Sequence, residues 1–288
     1  MGGAAPVIDS KGDVWVSTGN GSVSSSSQPY DQSDAVLELS SSLRLLQFFA
    51  PHRWALDNAS DLDMSTAPVL LPDGQVLITG KSQIVYLLDG TRLGSIGGQQ
   101  ATLPDPAPVA RVGSICGNDI DGGAAVQGMT VYLPCMSGIL AVRAANRPPA
   151  LHLLWSSGVG GGPPIVAAGL IWTIGQNGAL YGLSPATGKV KQEVTVGVPA
   201  NHFPTPSVGG GLLLATCAAN VVAFHVYARG NGPTSATPAV RSACAAYAPP
   251  GPGIPRHVII VSAFAVLVLV AAIAWLLWHI VWRRRTGL

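Results

Sequence analysis

Gly162-Pro163-Pro164-Ile165-Val166-Ala167-Ala168-Gly169-Leu170-Ile171-Trp172-Thr173-Ile174-Gly175-Gln176-Asn177-Gly178-Ala179-Leu180-Tyr181-Gly182-Leu183-Ser184-Pro185-Ala186-Thr187-Gly188-Lys189-Val190 is a run of short apolar segments cut at regular intervals by turn residues. Pro164–Ala167, Leu170–Ile174 and Ala179–Leu183 are too short and too rich in β-branched and aromatic residues for helices, and the steps between them, Ala168-Gly169 and Gln176-Asn177-Gly178, are hairpin turns. Thr187-Gly188-Lys189 then turns the chain into a fourth strand. The stretch predicts one four-stranded meander.

The same grammar recurs at Val7, Val69, Val126, Val166 and Val208, spaced 62, 57, 40 and 42 residues apart. Third strands are expected at Ala35–Leu39, Ile84–Asp89, Ile139–Val142, Ala179–Leu183 and Val221–Phe224. A four-stranded unit of about 40 residues is the size of one propeller blade. The fold class is therefore all-β: a β-propeller with five visible repeats over residues 1–227. The two long spacings mark insertions. Ser22–Asp34, polar and low in complexity, is expected as a surface loop without a core, and Asn58–Ser65 and Gly90–Asp121 are expected as loops at one end of the propeller.

The block from Pro163 to Lys189 resembles the repeat of pyrroloquinoline-quinone-type propellers, down to the turn Ser184-Pro185-Ala186-Thr187-Gly188-Lys189. Trp54 to Asp89 resembles the quinoprotein-like family more closely still, through Asp61-Leu62-Asp63, Ala67-Pro68-Val69-Leu70-Leu71-Pro72-Asp73-Gly74, Gly80-Lys81 and Tyr86-Leu87-Leu88-Asp89. Ser17-Thr18-Gly19-Asn20-Gly21 is similar to the same family, and the likeness runs from about Ala5 to Phe224. It implies roles for four residues. Asp61 or Asp63 would remove the proton of a substrate hydroxyl, Asn20 would offer an amide oxygen to Ca²⁺, and Lys81 would face the quinone oxygens. The family's adjacent cysteine pair is missing, and so are the blades that would complete the cofactor cage. No retained pyrroloquinoline quinone (PQQ) or calcium is expected. The plainer alternative is that Asp61 and Asp63 cap turns and that Lys81 pairs with one of them.

Composition agrees with a turn-rich β chain: 35 Gly and 23 Pro in 288 residues, with only 10% charged. The formal charge of +2 divides unevenly, because Arg256, Arg283, Arg284 and Arg285 supply four positive charges and the preceding 255 residues sum to −2. That excludes nucleic acid as an electrostatic partner. Gln75 stands where a phosphate loop ending at Gly80-Lys81-Ser82 would need a glycine, and the six histidines lack metal-ligand spacing. Cys116, Cys135, Cys217 and Cys244 are even in number; equivalent places in their repeats hold Cys135 and Cys217 apart, so the pairs Cys116–Cys135 and Cys217–Cys244 are expected.

Residues 228–257 read as a Gly/Pro-rich linker, and Val258 to Trp282 as 25 residues without a formal charge. As a helix these would measure about 37 Å, enough to cross a hydrocarbon layer of about 30 Å. Trp275, Trp278 and Trp282 form an interfacial belt, and Arg283-Arg284-Arg285 in the tail 283–288 places the C-terminus in the cytoplasm. The expected protein is a single-pass membrane protein with its propeller outside the cytoplasm. Met1–Ala5 carries neither a basic nor an apolar leader region, so no signal peptide is expected within this chain. Upstream blades are therefore expected in a longer protein, with closure of the five repeats on themselves as the alternative. Three functions remain open: a binding or scaffolding module with an envelope protein partner, a PQQ-dependent oxidoreductase of alcohols or sugars, and a truncated product without activity of its own.

Overall fold

The computed structural model describes residues 5–107, 115–117, 119–197, 201–218 and 220–225, all within the first of two units, Met1–Ala246 and Tyr247–Leu288, into which the chain divides. The expected linker 228–257, the span Val258 to Trp282 with its Trp275, Trp278 and Trp282 belt, and Arg283 to Arg285 lie outside the described residues. Among the described residues no helix is long and apolar enough to cross a membrane.

Among the described residues five sheets follow one another, antiparallel apart from one pairing. The first has strands β1 (Val7–Ile8), β2 (Val14–Ser17), β3 (Val36–Leu39) and β4 (Leu45–Ala50), followed by the short helix α1 (Trp54–Ala59). The second has β5 (Val69–Leu70), β6 (Gln75–Ile78) and β7 (Val85–Asp89); the chain then leaves the sheet as β8 (Ser95–Ile96), which pairs in parallel with β4 at Phe49 and Ala50, and returns as the fourth strand, β9 (Ala101–Leu103). The third has β10 (Ala125–Gln127), β11 (Thr130–Cys135), β12 (Gly138–Asn146) and β13 (Pro149–Ser156), and the fourth β14 (Ile165–Ala167), β15 (Leu170–Ile174), β16 (Ala179–Leu183) and β17 (Val190–Thr195). The fifth shows three strands among the described residues, β18 (Ser207–Gly209), β19 (Leu212–Cys217) and β20 (Asn220–His225). Each sheet is a blade.

The side-chain period of two makes these blades stack. In β6 every residue is buried, with Val76 and Ile78 on one face and Leu77 on the other. Val76 and Ile78 join Trp15, Val36 and Phe49 of the first blade in one core, while Leu77 joins Val131, Leu133 and Leu140 of the third in another. The division repeats in β12, whose Leu140 and Val142 face the second blade and whose Ile139 and Ala141 face the fourth. Leu180 of β16 continues the series by packing with Leu213 and Ala215 of the fifth. Strands buried on both faces arise because blades stack through both faces, and each large apolar side chain so placed contributes about 1.5–3 kcal/mol.

The turn Ser184–Lys189 has a packing function. Gly188, at φ +66°, lies beneath the Trp155 ring of the preceding blade; a Cβ there would stand 2.5 Å from Trp155 Cε3. Trp155 Nε1 donates to the Pro185 carbonyl at 2.9 Å, so the turn docks the third blade on the fourth. Cys116 and Cys135 form a disulfide with Cα atoms 5.9 Å apart, joining the segment before the third blade to its second strand. Closing a loop of about 20 residues adds about 3 kcal/mol by restricting the unfolded chain. Of the other expected pair, Cys217 is buried on β19 and Cys244 lies outside the described residues.

Two loop expectations are corrected. Ser22–Asp34 does contribute to a core: Tyr30 stacks on Phe48 with centroids 5.4 Å apart and meets Trp54 edge-on, and Ser33 and Asp34 are buried. The polar composition hid this, because the insert is fastened by hydrogen bonds. The Asn58 amide accepts from Gly21 N at 2.6 Å and donates to Ser33 Oγ at 2.8 Å and to the Val23 carbonyl. Gly90–Asp121, expected as a loop throughout, includes β8 and the blade's fourth strand, β9, whose three residues were too few to show a pattern.

Candidate functional site

In four-stranded meanders stacked in this way, the hairpins between second and third strands and the segments that enter each first strand lie at the same end. Asn20 sits in the β2–β3 connection and Lys81 in the equivalent β6–β7 hairpin, while Asp61 and Asp63 enter β5. The fold therefore brings together four residues separated by up to 61 positions in sequence.

The contacts are direct. Lys81 Nζ lies 2.6 Å from Asp63 Oδ2 and 3.1 Å from Asp61 Oδ1. From the first blade, Asn20 donates its backbone N–H to Asp63 Oδ1 at 2.8 Å and its amide Nδ2 to Asp61 Oδ1 at 2.7 Å. The Lys81 backbone N–H donates to the Asp63 carbonyl at 3.0 Å. Asp61 is exposed, at φ +56°, whereas the Asp63 side chain retains 12% exposure. The Lys81 hydrogen bond and charge hold the Asp61 carboxyl below the ordinary carboxylate range. Burial opposes the Lys81 charge, but its hydrogen bonds to Asp63 and Asp61 outweigh burial and push the ammonium pKa up. Gly80 sits directly under Asp63 to Ser65, where a Cβ would be 2.8 Å from Met64 Cα and Ser65 N.

Beneath this cluster lies a layer of buried acids. Asp34 is fully buried, and desolvation, with the charges of Asp57 and Asp63, raises its pKa to about 7. Asp57 is raised to about 6 by burial, although Arg53 Nε donates to its Oδ1 at 2.7 Å. Across the same end, His202 Nε2 lies 3.5 Å from Asp121 Oδ2, and Asp119 has its pKa raised by burial and by the Asp121 charge, with Lys81 and His202 acting in the opposite direction.

Sequence reasoning missed Asp119, Asp121 and His202. A signal existed in the repeat alignment: Asp63, Gly160 and His202 each lie six residues before the aligned valine of their blades, and Asp121 lies five before. All enter a first strand at the same end. Among the described residues, Asp9, Asp13 and Glu38 bring carboxylate oxygens within 4.8 Å of one another, but Asp9 is already the acceptor for Trp15 Nε1 and for the backbone of Lys11 and Asp13.

No protein-family model matches the chain, and no curated protein matches it. Solved structures do. BamB from Moraxella catarrhalis is 14% identical with a TM-score of 0.53, over 77% of this chain and 61% of that one. The computationally designed Ika8 protein is 7% identical with a TM-score of 0.50, over 77% of this chain and 57% of that one. The β-propeller domain of Cps50 (Swd1) from Myceliophteria thermophila is 12% identical with a TM-score of 0.49. At these identities the likeness to BamB and Ika8 concerns the fold alone, a β-propeller, to which the five sheets of the described residues belong. The chain spans about three fifths of the BamB structure's length.

Proposed function

We propose that the chain is an extracytoplasmic, membrane-anchored β-propeller that binds a partner in the cell envelope through the end where Asn20, Asp61, Asp63, Lys81, Asp119, Asp121 and His202 gather. The carrying observation is that Lys81 engages both carboxylates that the family resemblance makes candidate bases. Asp61, with its pKa lowered, is a weak proton acceptor at neutral pH. Four carboxylates against one ammonium and one imidazole leave this end acidic, so the partner surface it suits carries basic groups.

The quinoprotein reading is favoured by one observation, the convergence of Asn20, Asp61, Asp63 and Lys81. A calcium ion does not fit that geometry. An ammonium lies against Asp63 Oδ2 and Asp61 Oδ1, and Asn20 turns amide hydrogens toward the carboxylates where a metal would require its oxygen. Equilibrium dialysis of the purified protein against PQQ and Ca²⁺, followed by a dye-linked alcohol oxidation assay, separates the readings. Neither retention nor turnover is expected. Stoichiometric binding with turnover lost in Asp61→Asn or Asp63→Asn would establish the oxidoreductase instead.

The topology rests on the 25 uncharged residues from Val258 to Trp282, followed by three arginines. Protease added outside intact cells or spheroplasts is expected to remove the propeller and to leave a tag placed after Leu288 protected. A tag digested from outside would reverse the orientation.

A further inference from the structure

We infer that the Lys81 ammonium is the resident cation of the Asn20–Asp61–Asp63 cluster, occupying the place of a divalent metal and holding the acid pair to which Asn20 of the first blade bonds. The inference stands whichever partner this end binds. Its basis is the set of contacts around one atom. Asp63 Oδ2 and Asp61 Oδ1 converge on Lys81 Nζ at 2.6 and 3.1 Å, and the same two side chains receive both N–H groups of Asn20 from the neighbouring blade. Without the ammonium, two carboxylates would face each other with only neutral donors between them. That arrangement is favourable in folded proteins when a cation sits there.

A lysine serves differently from an exchangeable ion. The cation is covalently part of the β6–β7 hairpin, so the junction needs no metal from outside and is insensitive to chelators. Its backbone N–H donates to the Asp63 carbonyl, which fixes the hairpin while the side chain reaches over the acid pair. Lys81 therefore supplies one positive charge where a divalent ion would supply two, and the acid pair is committed to it.

Removing the ammonium should free the acid pair, and rotation of the Asn20 side-chain amide would then turn its oxygen, which the present geometry keeps away, toward a weakly held calcium ion. In the full chain, Lys81→Met is expected to melt about 6 °C lower than the parent, since a broken, partly buried ion pair is felt at about 2–4 °C per kcal/mol in a domain of this size. Calcium at 5 mM is expected to recover about 3 °C of that loss, the linkage effect of a site with a dissociation constant near 0.5 mM. The parent should move by less than about 1 °C, within the reproducibility of such a scan. Asp61→Asn in the Lys81→Met background should abolish the calcium response. A calcium-responsive parent, or a folded Lys81→Met that ignores calcium, would overturn the inference.

A second measurement needs no variant. Competitive acetylation of the parent, read by mass spectrometry, is expected to label Lys81 at least about tenfold more slowly than Lys11 or Lys191, as follows from a raised pKa and committed hydrogen bonds, and calcium should not change the ratio. Equal labelling, or a rate that changes with calcium, would show that the ammonium is not resident.

Discussion

Asp34→Asn is expected to raise the melting temperature at pH 7.5 by about 10 °C and to remove most of its dependence on pH between 4.5 and 7.5. Asp34 is fully buried at φ +45°, beside two further acids. Burial, then the charges of Asp57 and Asp63, raise its pKa from 3.8 to about 7. The folded chain therefore holds a proton there at pH values where the unfolded chain has lost it. The stability this supplies is fully present below about pH 3.8 and is lost as pH rises toward 7. Three units at about 1.4 kcal/mol each give a burden near 4 kcal/mol at neutral pH, and the amide, uncharged and of the same shape, does not carry it. Thermal scans of parent and variant from pH 4.5 to 8 decide the matter. Parallel curves, or a parent that melts higher as pH rises across this window, would rule out Asp34 as the group responsible. Asp57, raised to about 6 by burial, titrates in the same direction and should leave a smaller residual slope in the variant.

The repeats were legible because blade stacking writes a simple pattern: a strand buried on both faces is a short unbroken apolar run, and Leu170–Ile174 and Ala179–Leu183 have the bounds read from their turns. Strands such as β8 and β9 were hidden, since two or three residues carry no period and their positions depend on pairing with distant strands. The insert Ser22–Asp34 misled for a different reason. Serines and aspartates read as solvated, yet here Asp31 accepts from the Ser33 hydroxyl, which accepts in turn from Asn58, and Tyr30 reaches Phe48 and Trp54.

The site was half legible. Asn20, Asp61, Asp63 and Lys81 could be named because they fall in stretches that resemble quinoprotein-like motifs; that the two acids meet at one ammonium, with Asn20 bonded to both, could not, because the contacts depend on how two blades align. Asp119, Asp121 and His202 belong to no motif. They lie five to seven residues before the aligned valines Val126 and Val208, in segments that enter first strands at the same end of the propeller. Sequence shows which residues could do chemistry, and the stacking geometry decides which of them are already engaged with each other.

Gly80→Ala is expected to destabilise the propeller by about 4 kcal/mol, lowering its melting temperature by about 10 °C, and to release Lys81. Nothing in the Gly80 backbone calls for glycine through a positive φ; the constraint is space. An added Cβ would collide with the Asp63 carbonyl oxygen and come within 2.8 Å of Met64 Cα and Ser65 N, all of them backbone that cannot swing aside. The hairpin would have to lift from the segment entering β5. Lifting breaks the Lys81 N–H bond to the Asp63 carbonyl and separates Nζ from Asp63 Oδ2. It also disturbs Ser65, whose hydroxyl donates to the Ile120 carbonyl at 2.7 Å and whose carbonyl accepts from Gly122 N at 3.1 Å, so the strain passes to the third blade. Gly74→Ala is the control. Gly74, at φ +88° with nothing within 4 Å of an added Cβ, should cost only the backbone penalty of about 1–2 kcal/mol and leave Lys81 protected. Acetylation of Lys81 in both variants, measured beside the melting temperature, separates a local collision from general loosening. Equal melting losses in the two variants, or a Lys81 still protected in Gly80→Ala, would show that the close approach of Gly80 does not hold this junction together.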